Sequence, residues 1–295
     1  MKKLLALLFS VVLSFSFVTP AFALESETLV SSVTINEYDV YVSTRCASSS
    51  ELLDSGVSPQ QVDLIRSNAI ENELLRLSEL TVTELAALGY NTYQAEILQG
   101  YTGERIETNQ NLRSVFATMT MNFYKLSANN TMLRIKAEWE WGSAPVLSGG
   151  AIHDMVAMRW QGTNSAGSPI NLALDSAGSI CSVKYYTLDG VYKRSAGVSV
   201  ICNSPYDHAY AEIPMHLDDN SSNYAKEGYL VTRVERTGSD VINEAAFVFA
   251  YGHTVIGITP SLALPPSFGI GFSVGTETMV EEAIRVDSRG NITRY

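Results

Sequence analysis

The stretch Leu133-Arg-Ile-Lys-Ala-Glu-Trp-Glu-Trp141 alternates apolar and charged side chains without a break. Successive side chains of a β-strand point to opposite faces, so the alternation predicts a strand with one buried and one hydrated face. We expect Trp139 and Trp141, which belong to the apolar set, in the core and not on a surface that stacks against sugars. A half-buried strand of this kind is typical of an antiparallel sheet.

Similar period-two runs continue through the rest of the chain. Thr, Val, Ile, Tyr and Phe gather in short segments that Gly, Asn and Ser separate. About ten strands without helical patterns between them favour a two-sheet sandwich or a barrel-like domain over residues 106–295. The other predicted strands are Val115–Leu126, Asp154–Gln161, Ile180–Leu188, Val198–Asn203, Ala209–Leu217, Tyr229–Arg236, Ala245–Ile258, Phe268–Val274 and Glu282–Val286.

Residues 50–105 have a helical period and predict a three-helix unit. The first helix carries an apolar stripe from Val62 to Leu77, and Gly89 and Gly100 end the other two. Each helix start has a capping side chain followed three residues later by Glu or Gln, and the three capping residues are Ser58, Thr81 and Asn91.

The predicted fold class is therefore α+β and mainly β, with the small helical unit docked on a large antiparallel domain. Residues 24–49 precede the helices, and their strand-like part, from Thr28 to Val42, is expected to join the same sheet.

The first 23 residues predict a secretory signal peptide. Lys2 and Lys3 precede an apolar run that ends at Val18, and Ala21-Phe-Ala23 has the small residues that a signal peptidase recognises. The run is shorter than the roughly 20 residues that a spanning helix needs. We expect cleavage near Ala23, a mature chain without a transmembrane segment, and a bacterial protein that is secreted or associated with the cell surface.

Composition excludes several classes of function. Acidic residues outnumber basic ones 31 to 20, for a net charge of −11, so the chain lacks the basic surface that nucleic acid requires. The sequence also lacks a phosphate-binding G-x-x-x-x-G-K-[ST] loop, a dinucleotide-binding G-x-G-x-x-G motif and the zinc-protease pattern H-E-x-x-H. No cofactor is predicted from these motifs.

Glu138 and Glu140 are the first candidate catalytic pair. Carboxylates two residues apart on a strand lie about 7 Å apart, which is within the range of the acid and base pairs of glycosidases. The same spacing arises on any half-exposed strand, where these residues would form cross-strand ion pairs with lysine or arginine.

The segment Asp207–Asn220 holds the densest set of metal-capable side chains. His208 and Glu212 share the polar face of its strand and form a second, weaker catalytic or metal-binding candidate. His208 and His216 would lie roughly 26 Å apart on an extended strand, too far to bind one ion. At the end of the strand three side chains could offer oxygen ligands to Ca²⁺, or could simply form a polar turn, and these are Asp218, Asp219 and Asn220.

Gly271-Phe-Ser-Val-Gly275 matches the G-x-S-x-G pattern of a nucleophilic serine. In that fold the general-base histidine follows the serine, whereas all four histidines here precede Ser273. A glycine-rich strand is the favoured interpretation.

Two of the three cysteines, Cys181 and Cys202, flank a predicted hairpin that turns at Asp189-Gly190. An exported protein can hold a disulfide, and we predict one between these two residues. Cys46 would then be free or paired between chains.

Three hypotheses about function follow from these observations. The favoured one is a noncatalytic exported binding protein whose partner is an extracellular protein, a glycan or a cell-envelope component. The first alternative is a secreted, glycan-directed hydrolase that uses the paired carboxylates. The second is an outer-membrane β-barrel, which the polar residues that alternate before Tyr295 disfavour.

Overall fold

A computed structural model of the chain describes residues 27–54, 59–146, 153–217, 222–254, 262–263, 270–272 and 276–294. The predicted signal peptide lies outside these residues. The described part consists of two open antiparallel sheets that stack face to face, with a helical unit at one end. Of the two architectures that the sequence predicted, the sandwich is the one observed.

The helical unit contains more and shorter helices than the predicted three. The stripe from Val62 to Leu77 belongs to two helices, because the chain leaves the helical conformation around Asn68. The helices are α1 (Glu37–Cys46), α2 (Ser49–Asp54), α3 (Pro59–Ile65), α4 (Ala69–Ser78), α5 (Val82–Ala87) and α6 (Thr92–Gln99), followed by 3-10 turns at Ile106–Thr108 and Gln110–Ser114.

Capping chemistry sets the starts of α5 and α6, as predicted. Thr81 accepts a hydrogen bond from the Glu84 amide while the Glu84 carboxylate accepts from the Thr81 amide, and Asn91 and Gln94 repeat the arrangement. These bonds satisfy amides that have no partner within the helix. Ser58, the third predicted cap, lies outside the described residues.

The strand-like segment from Thr28 to Val42 is only partly extended. Strand β1 (Thr28–Asn36) ends where the Asn36 side chain accepts a hydrogen bond from the Tyr38 amide at 2.9 Å and starts α1. An Asn cap stabilises the first turn of a helix, so the prediction of a strand beyond Asn36 was wrong.

The first sheet, sheet A, contains seven strands in the order β1-β2-β3-β11-β7-β8, with β6 beside β11. The strands after β1 are β2 (Thr118–Ala128), β3 (Met132–Trp141), β6 (Leu172–Leu174), β7 (Ile180–Thr187), β8 (Tyr192–Val198) and β11 (Asn223–Arg236). The turn between β7 and β8 contains Asp189 and Gly190, with Gly190 in the left-handed region at φ +87°. The predicted turn is therefore confirmed, although the strand that follows it is β8 and not the predicted Val198–Asn203.

The second sheet, sheet B, has the order β16-β15-β12-β4-β10-β9, with β5 beside β4. Its strands are β4 (His153–Thr163), β5 (Pro169–Ile170), β9 (Ile201–Ser204), β10 (His208–Pro214), β12 (Glu244–Thr254), β15 (Thr276–Asp287) and β16 (Ile292–Arg294). A two-stranded hairpin of β13 (Leu262–Ala263) and β14 (Gly271–Phe272) completes the strands of the described residues, and Phe272 packs against the outer face of sheet B.

The core lies between the two sheets and contains the alternating apolar residues that the sequence predicted. Trp139, Trp141 and Trp160 are fully buried there. Gly228 lies opposite Trp139, and a Cβ at this position would come within 2.4 Å of the indole ring and 2.6 Å of the Ser182 carbonyl oxygen. Glycine is therefore required where the large ring lies against the neighbouring strand.

One side of the sandwich is held by polar contacts between the sheets. The Ser31 hydroxyl on β1 donates to the Glu282 carboxylate on β15 at 2.9 Å, and Arg294 on β16 contacts both residues.

Across the described ranges, no helix has the length and apolarity to cross a membrane.

Candidate functional site

The outer face of sheet A carries tyrosines among paired charges, and we call it the tyrosine face. The alternation of β3 that buries its tryptophans points Lys136, Glu138 and Glu140 outward. Side chains in register on neighbouring strands extend the same face. The tyrosine face consists of Tyr124, Lys136, Glu138, Glu140, Lys184, Tyr186, Tyr192, Lys226, Glu227 and Tyr229.

Lys136 is the centre of the first cluster on this face. Its Nζ lies 2.7 Å from carboxylate oxygens of both Glu27 and Glu138, and 4.3 Å from the centre of the Tyr124 ring. The Tyr229 ring lies on another side at 5.9 Å. Partial burial lowers the pKa of Lys136, but the two carboxylates outweigh it, so the net pKa is raised and the ammonium keeps its charge.

Glu227 is the centre of the second cluster. Its Oε1 accepts hydrogen bonds from the Tyr186 hydroxyl at 2.5 Å and from Lys184 at 3.2 Å. The hydrogen bond to Glu227 raises the pKa of Tyr186 to about 12. Lys226 lies 5.2 Å from the centre of the Tyr186 ring, and Tyr192, half exposed, packs edge-on against that ring.

Glu138 and Glu140 lie on this face, each in an ion pair with a different lysine. Glu138 pairs with Lys136 at 2.7 Å, and Glu140 pairs across strands with Lys226 at 3.2 Å. Each carboxylate is thus already engaged by a lysine ammonium, as on a charged surface. The arrangement therefore suits a binding surface better than a pair of catalytic carboxylates.

His208 and Glu212, the other candidates, lie on β10 in sheet B, so the core separates them from Glu138 and Glu140. His208 is buried, with its Nδ1 3.1 Å from Asp207, and Asp207 also pairs with Arg159 at 3.0 Å. Glu212 is half buried. His216 lies beyond the strand, where its Nδ1 contacts the Asn223 carbonyl oxygen at 2.5 Å.

The predicted calcium ligands Asp218, Asp219 and Asn220 lie outside the described residues, as does Ser273. Within the described ranges, no three His, Cys, Asp or Glu side chains come together as a metal site would require. Phe272, beside Ser273, is buried on the outer face of sheet B, in keeping with a strand at this position.

The predicted disulfide is not formed in the structure, where all three cysteines are free thiols. Cys181 is buried in sheet A, whereas Cys202 lies on β9 at the edge of sheet B and donates to the His208 carbonyl oxygen at 3.5 Å. Cys181 lies on β7, within the hairpin of sheet A, whereas the strand of Cys202 enters the other sheet, which the spacing in the sequence does not reveal. Burial raises the pKa of the Cys181 thiol to about 12.

A buried polar cluster, which we call the buried joint, lies where the helical unit meets the sandwich. It consists of Glu37 on α1, Trp141 on β3, Asp154 on β4, and Tyr251 and His253 on β12. All five side chains are fully buried. Sequence reasoning missed the buried joint, although Asp154 and His253 were visible as isolated polar residues in apolar strands.

Hydrogen bonds in the buried joint connect the two sheets, and an ion-pair contact connects them to the helical unit. The Trp141 indole N–H donates to the Tyr251 hydroxyl at 3.2 Å, and that hydroxyl donates to Asp154 at 2.7 Å. Asp154 lies 3.0 Å from His253 Nδ1, and His253 Nε2 lies 3.7 Å from Glu37 Oε1. Burial raises the pKa of Tyr251 well above its ordinary value, so its hydroxyl stays a donor.

Comparisons with protein-family models and with curated proteins find no match for this chain. Among solved structures, it is similar to the collagen-binding domain from a Staphylococcus aureus adhesin. The match has 10% sequence identity and a TM-score of 0.27, and it covers 56% of this chain and 96% of that chain. The collagen-binding subdomain of the Enterococcus faecalis surface protein ACE matches with 8% sequence identity and a TM-score of 0.29. This match covers 56% of this chain and 95% of that chain.

AvmM, which catalyses macrocyclization in alchivemycin A biosynthesis, is similar at a comparable level. The match has 8% sequence identity and a TM-score of 0.26, and it covers 55% of this chain and 86% of that chain. Adhesin domains and an enzyme thus match this chain at similar TM-scores, and these scores are too low to indicate a function.

Proposed function

We propose that the chain is an exported, noncatalytic binding protein that recognises an extracellular protein through the tyrosine face. The observation that carries the proposal is the arrangement of this face, where lysine ammoniums lie 4.3 and 5.2 Å from the centres of the Tyr124 and Tyr186 rings. Tyrosine is enriched at protein interfaces because its ring contributes apolar area and its hydroxyl a hydrogen bond.

The contacts on this face reduce the entropic cost of binding. Tyr186 is held by Glu227 and Lys226, and Tyr124 by Lys136, so these rings are already ordered before a partner arrives. Side chains that are ordered in the free protein lose less conformational entropy in the complex. This preorganisation supports a role in recognition.

The chemistry of the face favours a protein partner over a glycan. Lysines lie against the Tyr124 and Tyr186 rings, leaving less ring surface for a sugar to stack on. Carboxylates and ammoniums alternate across the sheet, a pattern that a complementary set of charges on another protein can match. Export through the predicted signal peptide would place such a partner outside the cell.

The test is co-sedimentation of the purified chain Leu24–Tyr295 with isolated cell-envelope material from the producing organism. Portions are treated beforehand with protease, to remove proteins, or with periodate, to oxidise glycans. Saturable pelleting that protease abolishes and periodate leaves intact supports the proposal. Loss after periodate alone would assign the face to a glycan, and an absence of pelleting would exclude an envelope partner.

Variants then connect the binding to the tyrosine face. Tyr192→Ala and Tyr229→Ala should each weaken pelleting about tenfold or more, as expected when an aromatic residue at the centre of an interface is removed. Tyr93→Ala is the matched control, since Tyr93 is 60% exposed on α6 in the helical unit. Equal affinities for all three variants would contradict the assignment of the face.

Release of sugars or amino groups is assayed in the same supernatants. Product that disappears with Glu138→Gln or Glu140→Gln would replace the proposal with the glycan-directed hydrolase.

A further inference from the structure

The buried joint contains more acidic than basic groups in a place without contact to water. Glu37 and Asp154 each contribute a carboxyl group, and His253 contributes the one imidazole between them. With both acids ionised and the imidazole protonated, the trio has a net charge of −1. An uncompensated charge is costly in a buried site, and one further proton would make the trio neutral.

Hydrogen-bond donors distinguish the two carboxyl groups. Asp154 accepts short hydrogen bonds, from the Tyr251 hydroxyl at 2.7 Å and from the Thr254 amide at 2.9 Å. Glu37 accepts at longer distances: 3.1 Å from the Tyr41 hydroxyl, and 3.2 and 3.3 Å from two backbone amides. Glu37 is therefore the less strongly stabilised anion of the pair.

We propose that the buried joint takes up one proton at the Glu37 carboxyl group on mild acidification, and that this proton holds the helical unit more firmly on the sandwich. Glu37 is the first residue of α1, whose Tyr38 and Tyr41 belong to the core of the helical unit. Its partners Asp154 and His253 belong to sheet B. The charge of the buried joint therefore acts directly on the contact between the two parts.

The titratable groups that act on Glu37 or respond to its charge come from sheet B and from the helical unit. Sheet B presents His253, with Asp154 and Tyr251 behind it, and α1 presents Tyr41. From the helical unit, the neutral hydroxyl of Tyr90 is near enough for the charge of Glu37 to raise the pKa of Tyr90, on which the Glu73–Arg76 ion pair also acts. Of the groups named here, only His253 opposes an ionised Glu37 with a positive charge at close range.

Burial raises the pKa of Glu37 above its ordinary value, against the opposing effects of His253 and of the hydrogen bonds from Val146, Ala117 and Tyr41. An acid with a raised pKa in the folded state contributes stability below its unfolded pKa and loses that contribution as pH rises through the folded pKa. Acidification through the folded pKa of Glu37 should therefore strengthen docking, and a rise of pH above it should weaken docking.

The experiment compares the wild-type chain with Glu37→Gln in urea unfolding between pH 4 and pH 8. Glutamine keeps the shape but cannot ionise. The ratio of the wild-type folding equilibrium constant to that of Glu37→Gln should fall tenfold per pH unit between the unfolded and folded pKa of Glu37. Glu73→Gln, at a surface ion pair, is the matched control and should not reproduce this fall. A ratio that is constant across the range would overturn the proposal.

Carboxyl carbon NMR of the wild-type chain provides a second test that does not require Glu37→Gln to fold. Burial raises the pKa of both Glu37 and Glu281, so two glutamates should titrate above the ordinary range. Tyr41→Phe should move only the Glu37 titration to higher pH, because it removes a donor to the charged form. Absence of such a titration, or one that Tyr41→Phe leaves unmoved, would contradict the assignment to Glu37.

Amide hydrogen exchange of the wild-type chain tests the coupling to docking. After correction for intrinsic rates, acidification should increase the protection of α1 more than that of β8, the edge strand of sheet A, which pairs with β7 and carries no residue of the buried joint. An equal increase in both elements would show that the proton stabilises the whole chain and does not act on docking.

Discussion

Glu37 and His253 meet across the boundary between the helical unit and the sandwich, with Glu37 Oε1 and His253 Nε2 3.7 Å apart. The two residues come from opposite ends of the chain and both are fully buried. Their contact places ionisable groups at a junction that apolar side chains could have stabilised equally well. The helical unit is thus attached through groups that can change their protonation state.

The Tyr251 hydroxyl joins both sheets to the buried joint, since it accepts from Trp141 and donates to Asp154. Tyr251→Phe should lower the free energy of unfolding by roughly 1–3 kcal/mol, because a buried indole N–H and a carboxylate lose their partner. Urea unfolding followed by tryptophan fluorescence measures the change. Tyr192→Phe, at a half-exposed ring, is the control, and an equal loss there would show that the effect is not specific to the buried joint.

The close approach of Trp139 to Gly228 predicts a steric effect. Gly228→Ala should destabilise the chain by roughly 1–3 kcal/mol or prevent folding, because the new Cβ meets the indole ring and the Ser182 carbonyl oxygen. Gly197→Ala on the edge strand β8 is the matched control, since its Cβ would meet no atom within 4 Å. Thermal unfolding compares the two variants, and similar midpoints would contradict the packing described for Trp139.

The capping box at Thr81 predicts a local effect in the helical unit. Thr81→Ala should cost about 1 kcal/mol, since it leaves the Glu84 amide without its acceptor. Thr83→Ala, at an exposed position inside α5, should be neutral or slightly stabilising because alanine is the better helix former. Urea unfolding of both variants distinguishes a cap from a general preference for threonine.

Thiol burial predicts the order in which the cysteines react. At pH 8 the exposed Cys46 should react with a maleimide in the native chain, whereas Cys181 should react only after unfolding, because burial raises its pKa to about 12 and blocks access. Intact mass after labelling without reductant should show three modified cysteines in guanidinium. A denatured chain that takes up a single label would instead support the Cys181–Cys202 disulfide.

Local patterns predicted much of the fold. The alternation from Leu133 to Trp141 and the capping residues Thr81 and Asn91 depend on neighbours in the chain, and each has its predicted structure. Strand β8 was missed for the opposite reason. Its sequence Tyr192-Lys-Arg-Ser-Ala-Gly-Val198 lacks an apolar alternation, because an edge strand in this position buries little.

The buried joint could not be predicted, since its geometry depends on topology. Asp154 and His253 become neighbours because β4 and β12 pair, about 90 residues apart in the chain. Glu37 reaches them only through α1, at a position where the sequence pattern predicted a strand. The tyrosine face was partly visible, because the charged residues of β3 were assigned to the hydrated side, but its four tyrosines come from four other strands.

The strand order has a consequence for how the chain is made. Strand β11 lies between β3 and β7, and β12 lies between β4 and β15, so neither sheet can be completed before residues 223–254 have been synthesised. Pairing between distant segments is intrinsically slow. When the ribosome has synthesised the first two hundred residues, the polypeptide still lacks its central strands. Under the proposed export, a secretion channel that threads extended chains would receive it in that state.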